Sequence, residues 1–244
     1  MMEKIVIIGG GSFIGNLINY IESMGSYQIV GYTDIEDHGD FFGYKYLGTD
    51  DILQNLFNGG VKNAAIGIGN RLSDTRLKQR IFDSVRGIGF KLPLIKGQNV
   101  IIHKGVSVGD GVILRDGAIL QSNVKLGSGV MIGDRAIISH DTEIGDFSQV
   151  VSGCTLGRGI KIGRSVFFGF NAVITNDVTI VDGCTIGACS LVNKNCLEQG
   201  LYFGTPARLM KKIEQNADNK PVNAIMGGGR IVLPIYAACN RVAA

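Results

Sequence analysis

Between positions 102 and 192 every sixth residue is large and apolar. The series reads Ile102, Val108, Leu114, Leu120, Leu126, Ile132, Ile138, Ile144, Val150, Leu156, Ile162, Phe168, Ile174, Ile180, Ile186 and Val192. Glycine follows at Gly109, Gly127, Gly133, Gly145, Gly157, Gly163, Gly169 and Gly187, and a small or β-branched residue stands four places on, as at Ala118, Ala136, Thr142, Ser148, Cys154, Ala172 and Cys184. A fixed six-residue period marks a solenoid of hexapeptide coils, a parallel β-helix. Each short strand buries one bulky side chain, and the glycine or polar residue after it lets the chain turn a corner. The small residue four on points into a narrow interior, and successive coils cover one another's apolar surface. Simple amphipathic strands alternate with period two and would not hold one apolar position through sixteen hexads.

Ahead of the repeat the pattern changes. Residues 5–8 form a continuous apolar run ending in Gly9-Gly10-Gly11, as a buried parallel strand does. Ser12 is placed to cap a helix carrying Ile14, Leu17, Ile18 and Ile21 at helical spacing. A second strand is predicted over 28–33, ending at Asp34, and a short helix from Asp50-Asp51. A third strand over 64–68 closes on Gly69-Asn70. A helix follows over 73–85 with Arg76, Lys78 and Arg80 outward, and one more strand over 91–95. Strand and helix in alternation give an α/β domain with a parallel sheet. Ligands in such sheets sit beyond the carboxyl ends of the strands, where Gly9, Gly10, Gly11, Asp34, Gly67, Gly69 and Asn70 gather. Gly9-x-Gly11-x-x-x-Gly15 with Asp34 partly matches a dinucleotide fingerprint at a non-standard spacing. The same glycines equally serve a tight strand-to-helix turn. After Cys196 the repeat stops. Residues 201–208 read as a strand and turn capping the open coil end, and 209–215 as a short helix carrying Lys211 and Lys212. From Asn216 the character changes again, and Gly227-Gly228-Gly229 with the apolar residues after it carries no assigned chemistry. The expected domains are thus 1–97, Rossmann-like; 98–212, the β-helix; and 213–244, a tail.

Composition narrows the partners. The 244 residues include 36 glycines and no tryptophan, which suits a corner-rich coil with a narrow interior. The net charge is +3 without a Lys/Arg block, so no nucleic-acid face is expected. A mildly basic chain favours small anionic ligands. Of five cysteines, Cys154, Cys184 and Cys196 fall on the small inward position, where a thiol acts as a small hydrophobe. Cys189 and Cys239 fit no metal spacing, so no metal is expected. The run at 4–8 is too short for a signal peptide and no apolar run reaches membrane-spanning length. The expected setting is the reducing cytoplasm, away from the membrane.

The repeat, followed by Gly204-Thr205-Pro206-Ala207-Arg208, resembles the left-handed β-helix acyltransferases that use acyl-coenzyme A. With the front domain included, residues 3 to 212 are similar to sugar acetyltransferases of the sialic-acid O-acetyltransferase type. That group includes N-acetyltransferases acting on nucleotide-linked 4-amino-sugars. The resemblance implies a left-handed coil of three hexads, a homotrimer, acetyl-CoA as cosubstrate and a nucleotide-sugar in the glycine crevice. Gly9, Gly10, Gly11, Ser12 and Phe13 would then lie along the ligand, with Asp34 facing its base or ribose and Gly69 and Asn70 nearby.

Acyl transfer to an amine or hydroxyl needs a base, a held oxyanion and oriented substrates. Histidine is the usual base at neutral pH, and the chain has three. His38 lies in a loop beside Asp37, solvated. His103 sits at the first corner. His140 lies mid-repeat in Ile138-Ser139-His140-Asp141-Thr142, a hexad that breaks the glycine pattern, as functional sites tend to. This matches the family's His–acidic pair, implying that His140 deprotonates the acceptor and Asp141 orients it. By the same resemblance Gln149, Phe170 and Ala188 flank the acyl end and pantetheine arm. Arg164, Lys194, Arg208 and Lys211 are candidates for the phosphates, and an N–H near Gly157 or Arg158 for the oxyanion. The chain departs from the 4-amino-sugar branch at two places. Phe13 stands where the glycine loop carries a histidine, and Gln149 where a second histidine follows the base by nine residues. An amide donates a hydrogen bond but carries no proton. The one Gly-x-Ser-x-Gly run, Gly105-Val106-Ser107-Val108-Gly109, falls inside the hexad repeat and not at a strand-to-helix elbow, so no nucleophilic serine is expected and attack on the thioester is direct. The expected activity is N-acetylation of a nucleotide-linked amino-sugar. O-acetylation of a sialic acid or another sugar hydroxyl, and a non-catalytic nucleotide-sugar-binding scaffold, are the alternatives.

Overall fold

The computed structural model describes residues 2–68 and 76–212. The front part is a four-stranded parallel sheet of β1 (Glu3–Ile8), β2 (Tyr27–Thr33), β3 (Tyr46–Gly48) and β4 (Asn63–Ile66), in the order β3-β2-β1-β4. Helix α1 (Ile14–Met24) follows β1; a 3₁₀ turn at Asp50–Ile52 leads into α2 (Leu53–Asn58); α3 (Leu77–Ile88) follows β4. The unbroken apolar run of β1 has a simple cause. Ile5 and Ile7 pack with α1 through Ile14, Leu17, Ile18 and Ile21, while Val6 and Ile8 pack on the other side with Leu53, Phe82 and Val85. A strand covered on both faces has no polar side to show. Two expectations need correction, and one strand had no counterpart among them. Ser12 makes no capping bond, because the residue at the helix entrance is Phe13. β3, a three-residue half-buried edge strand, is too short to leave a sequence signal. The helix expected over 73–85 begins at Leu77 and runs to Ile88; residues 73–75, with Gly69 and Asn70, lie outside the described residues.

In the coil each two-residue strand pairs in parallel with the strand eighteen residues on, as in Ser107, Lys125, Glu143, Lys161 and Thr179. Eighteen is three hexads, so each coil has three sides, and the coils stack into a prism. We name its faces by their outward residues. The docked face carries Ile95, Ile113, Met131, Gln149, Phe167 and Thr185. The apolar face carries Ile101, Ile119, Ile137, Thr155, Val173 and Leu191. The charged face is the ladder from Ser107 to Thr179. Inward, the hexad positions from Leu114 to Val192 form one buried cluster with Ala118, Ala136, Cys154, Ala172, Cys184 and Cys196. Ile102 and Val108 differ from the expectation, remaining 40% and 36% exposed, because no coil precedes theirs.

The glycine after each inward residue does not supply the turn. Left-handed backbone falls two residues later, at Gly111, Gly129 and Gly159 or at Asn123, Asp141 and Asp177. The glycine is needed because coils approach closely there. A Cβ on Gly133 or Gly145 would stand 2.4 or 2.6 Å from the backbone of the next coil. The prism begins at Ile95–Lys96, which pairs with Ile113–Leu114, so the segment expected as a strand over 91–95 contributes only a bridge from Lys91 to Asn63 before joining the coil. At the other end the expected helix at 209–215 is instead a strand, Ala207–Lys212, antiparallel to Gly200–Gly204. That neighbouring strand pairs with one of its edges; residues 213–215 and the tail from 213 onward lie outside the described residues.

The front domain sits on the docked face and grips both of its edges. α1 packs on Ile95, Ile113 and Met131. On one edge the Tyr20 hydroxyl donates to Asp134 at 3.3 Å. On the other, the ring of Phe82 meets Phe147 edge-on, 5.3 Å between centroids. Lys78, expected outward, is buried at this second edge, where its Nζ donates to the Gly129 carbonyl at 2.7 Å. Burial pushes the Lys78 ammonium down to about 8. Its unfolded value is about 10.4, so between those limits the unfolded chain holds more protons and this group makes the fold more stable as pH rises. Replacing it with methionine should remove that slope. The stability of the parent minus that of Lys78→Met, from urea unfolding, should rise by about 2–3 kcal/mol between pH 7.5 and 10; a difference flat with pH would contradict the assignment.

Candidate active site

The residues after each apolar-face strand form the edge between the apolar and charged faces. His140 and Asp141 stand on it, between Ile137–Ile138 and Glu143–Ile144. Asp141 adopts φ 59°, in vertical line with Asn123 and Asp177 at φ 62° and 60°, residue types that tolerate left-handed backbone. This geometry turns its carboxylate onto the neighbouring imidazole, Oδ2 lying 2.7 Å from His140 Nδ1. Oδ1 accepts from the Asn123 amide of the coil before, at 2.9 Å. The bond from His140, then that from Asn123, holds the Asp141 carboxyl below the usual carboxylate range. An ionised carboxylate only accepts, so the proton sits on Nδ1 and Nε2 is left as the basic nitrogen. The His140 side chain is 47% exposed, so the ring lies outside the prism. The corner is pinned from within by Thr142, fully buried, whose hydroxyl donates to the Gly157 carbonyl at 2.9 Å and accepts from the Ile160 amide at 3.3 Å. Asn123 was missed from sequence, although counting back one coil of eighteen from Asp141 finds it.

The expected oxyanion donors are already engaged. The Gly157 N–H donates to the Ile174 carbonyl and the Arg158 N–H to the Asn176 side-chain oxygen. The stacking ladder uses the corner amides to join coils, and Arg158 itself turns to Asp177 at 3.3 Å.

The glycine crevice lies on the front domain. Gly9 and Gly10 are packing glycines: a Cβ on either would stand 2.7 Å from Ile68 or the Tyr32 ring. Gly11 has no atom within 4 Å of its Cβ position, so its side is open. Asp34 accepts from the N–H of Gly10 at 2.5 Å and of Ile35 at 2.6 Å. Ser12 is exposed. The Phe13 ring meets Tyr20 and the Arg115 guanidinium, with centroid distances of 6.2 and 5.4 Å, and Arg115 in turn pairs with Asp134. His38, expected to be solvated, is instead drawn to the crevice, its Nε2 3.8 Å from Asp34.

The candidate cofactor residues divide among several features. Phe170 is exposed and Ala188 buried, both on the edge between docked and apolar faces. Gln149 is half-buried on the docked face, its amide 3.7 Å from the Met131 sulfur. Arg164 pairs with Asp146 at 3.5 Å on the edge between charged and docked faces, and Lys211 is exposed on the last strand. Lys194 and Arg208 line one hollow at the end of the prism, beside Cys196 and Tyr202. Among the described residues no cluster of His, Cys, Asp or Glu suits a metal ion, and no helix is long and apolar enough to cross a membrane.

The front domain rides on the docked face, while His140 stands on the edge between the other two faces, opposite to it. Crevice and imidazole of one chain therefore do not share a cleft.

This is the architecture of a left-handed β-helix of hexapeptide repeats fronted by a small α/β domain, and residues 4–85 match the family model described as the PglD N-terminal domain. Among solved structures, the chain is similar to the acetyltransferase domain of PglB from Neisseria gonorrhoeae FA1090, at 23% identity over 85% of this chain and 100% of that one, with a TM-score of 0.80. It is also similar to a histidine-to-asparagine mutant of perosamine N-acetyltransferase from Caulobacter crescentus in complex with CoA and GDP-perosamine, at 24% identity over 87% and 99%, with a TM-score of 0.82. At such identities the likeness establishes the fold. No curated protein matches the chain.

The hydroxyl of Thr142 is predicted to hold the corner. Thr142→Val keeps the shape but orphans the half-buried Gly157 carbonyl and the buried Ile160 amide, at a cost of about 1–3 kcal/mol. Urea unfolding measures this, and an unchanged midpoint would show that the corner stands without the bridge.

Proposed function

We propose that the protein transfers the acetyl group of acetyl-CoA to the amino group of a nucleotide-linked amino-sugar, with His140 as general base. The observation that carries this reading is the 2.7 Å pair of His140 with an ionised Asp141 on an open edge of the prism. A carboxylate behind Nδ1 fixes the tautomer and stabilises the imidazolium once Nε2 has taken a proton. In the reaction Nε2 takes a proton from the sugar amine as its nitrogen attacks the thioester carbonyl. The tetrahedral intermediate collapses with cleavage of the C–S bond, and the thiolate of CoA leaves, to be protonated. The glycine crevice holds the nucleotide, with Gly11 as its open side and Asp34 at its wall. Lys194 and Arg208 take phosphates of CoA, while Phe170, Ala188 and Gln149 line its acyl and pantetheine arm. The Caulobacter neighbour, whose structure contains CoA and GDP-perosamine, supports this class of substrate pair.

The working unit in this reading is a homotrimer. The apolar face presents Ile101, Ile119, Ile137, Val173 and Leu191 outward, with Ile101 and Val173 48% and 41% exposed. A second copy covering this ladder would bring another chain's crevice toward His140, as the opposed placement within one chain requires, and would supply the oxyanion donor that the corner amides do not. The product would be a precursor for a surface polysaccharide, made in the cytoplasm.

His140→Ala should lower thiol release from acetyl-CoA about a hundredfold or more with a panel of nucleotide-linked amino-sugars, with both substrates still bound. A variant of undiminished rate would remove His140 from the mechanism, and a wild type that cleaves no thioester with any acceptor would leave only a binding scaffold. Gly11→Glu, placed where a side chain meets nothing, should abolish nucleotide binding with an unchanged melting temperature. Retained binding would move the nucleotide elsewhere.

A further inference from the structure

The loop after β2 brings an imidazole to the crevice that the chemistry above does not use. The His38 ring reaches the glycine loop, with Cδ2 3.0 Å from the place of a Cβ on Gly10. Its Nε2 lies 3.8 Å from Oδ2 of Asp34, the same oxygen that accepts the Gly10 N–H. The backbone holding it is fastened to the sheet. The His38 N–H donates to the Tyr32 hydroxyl at 3.1 Å, and that hydroxyl donates to the Gly39 carbonyl at 2.8 Å. Tyr32 is fully buried, so it anchors the loop to β2. The His38 side chain keeps 39% of its surface open. The charged groups of its own loop are Asp34, Glu36, Asp37 and Asp40, of which Asp34 faces the ring; residues 9–15 of the opposing turn carry none.

We propose that His38, backed by Asp34, binds the diphosphate of the nucleotide-linked acceptor where it passes Gly10 and Gly11. This rests on the reading that the crevice holds a nucleotide. The argument is electrostatic. A bare Asp34 carboxylate bonded to the Gly10 amide would repel a diphosphate laid along the same loop, within a few ångströms and largely unscreened. The His38 ring, standing beside that carboxylate, turns an N–H to the phosphate oxygens, and a bond to an ionised acceptor is stronger than one between neutral groups. The glycine loop leads into the N-terminus of α1, an end of the helix that favours anions.

Titration calorimetry with UDP, GDP and dTDP as probes tests this. In the full-length protein, His38→Ala should weaken the best-bound diphosphate about tenfold or more, while affinity for the corresponding nucleoside stays within about twofold. His38→Gln, which keeps a donor, should recover part of the loss. Equal diphosphate affinity in the parent and His38→Ala would overturn the role of His38 and leave the nucleotide crevice standing. A parent protein that binds none of the three would overturn the crevice reading and this inference together, while acetyl transfer to a sugar amine remains separately measurable.

Discussion

Everything in this protein depends on backbone pairing between residues eighteen positions apart. That ladder stacks one bulky apolar side chain over another down three sides of a prism whose interior they fill. The requirement falls hardest on the glycines at the start of each corner, where the next coil passes too close for a Cβ. It also consumes the corner amides, which explains why neither Gly157 nor Arg158 has a backbone N–H to offer a reacting oxygen.

A lattice this regular fixes the orientation of whatever departs from it. Asp141 occupies a left-handed position that another coil gives to glycine, and its carboxylate is clamped between His140 and Asn123. Thr142 replaces the small inward residue with a hydroxyl that joins two coils. The His140–Asp141 pair is thus set by the same repeat that builds the scaffold. The front domain obeys a different constraint. Its β1 must be covered on both faces, and α1 does double duty by packing on the sheet and on Ile113 and Met131 of the prism. The buried Lys78 and the Tyr20–Asp134 contact lock it across one face. The result is a protein whose basic nitrogen and glycine crevice are held rigidly on opposite sides of one chain.

Much of this was legible in the sequence where a period or a run carries it. The hexads, the inward cysteines and the α/β front domain follow from spacing, and His140 stands out by a break in it, while its pairing with Asp141 is what the family resemblance implies. What was not legible depends on contacts between distant segments. Lys78 reads as an outward residue of an amphipathic helix, because nothing local shows that a second domain covers it. His38 reads as a loop residue, because its place is set by a bond to Tyr32 across the loop. The last strand reads as a short helix, since its partner at Gly200–Gly204 decides its form. Gly9, Gly10 and Gly11 look alike in sequence, and only packing separates the two that are required from the one that is open.

The central claim is that the imidazole of one chain serves the crevice of another. Mixing decides it. Chains carrying His140→Ala and chains carrying Gly11→Glu, each inactive alone, are co-expressed under two affinity tags and the hybrid oligomers isolated. The account predicts that these hybrids regain a substantial fraction of the parent rate, because an intact base then faces an intact crevice. Hybrids as inactive as either variant alone would place both functions within a single chain and contradict it.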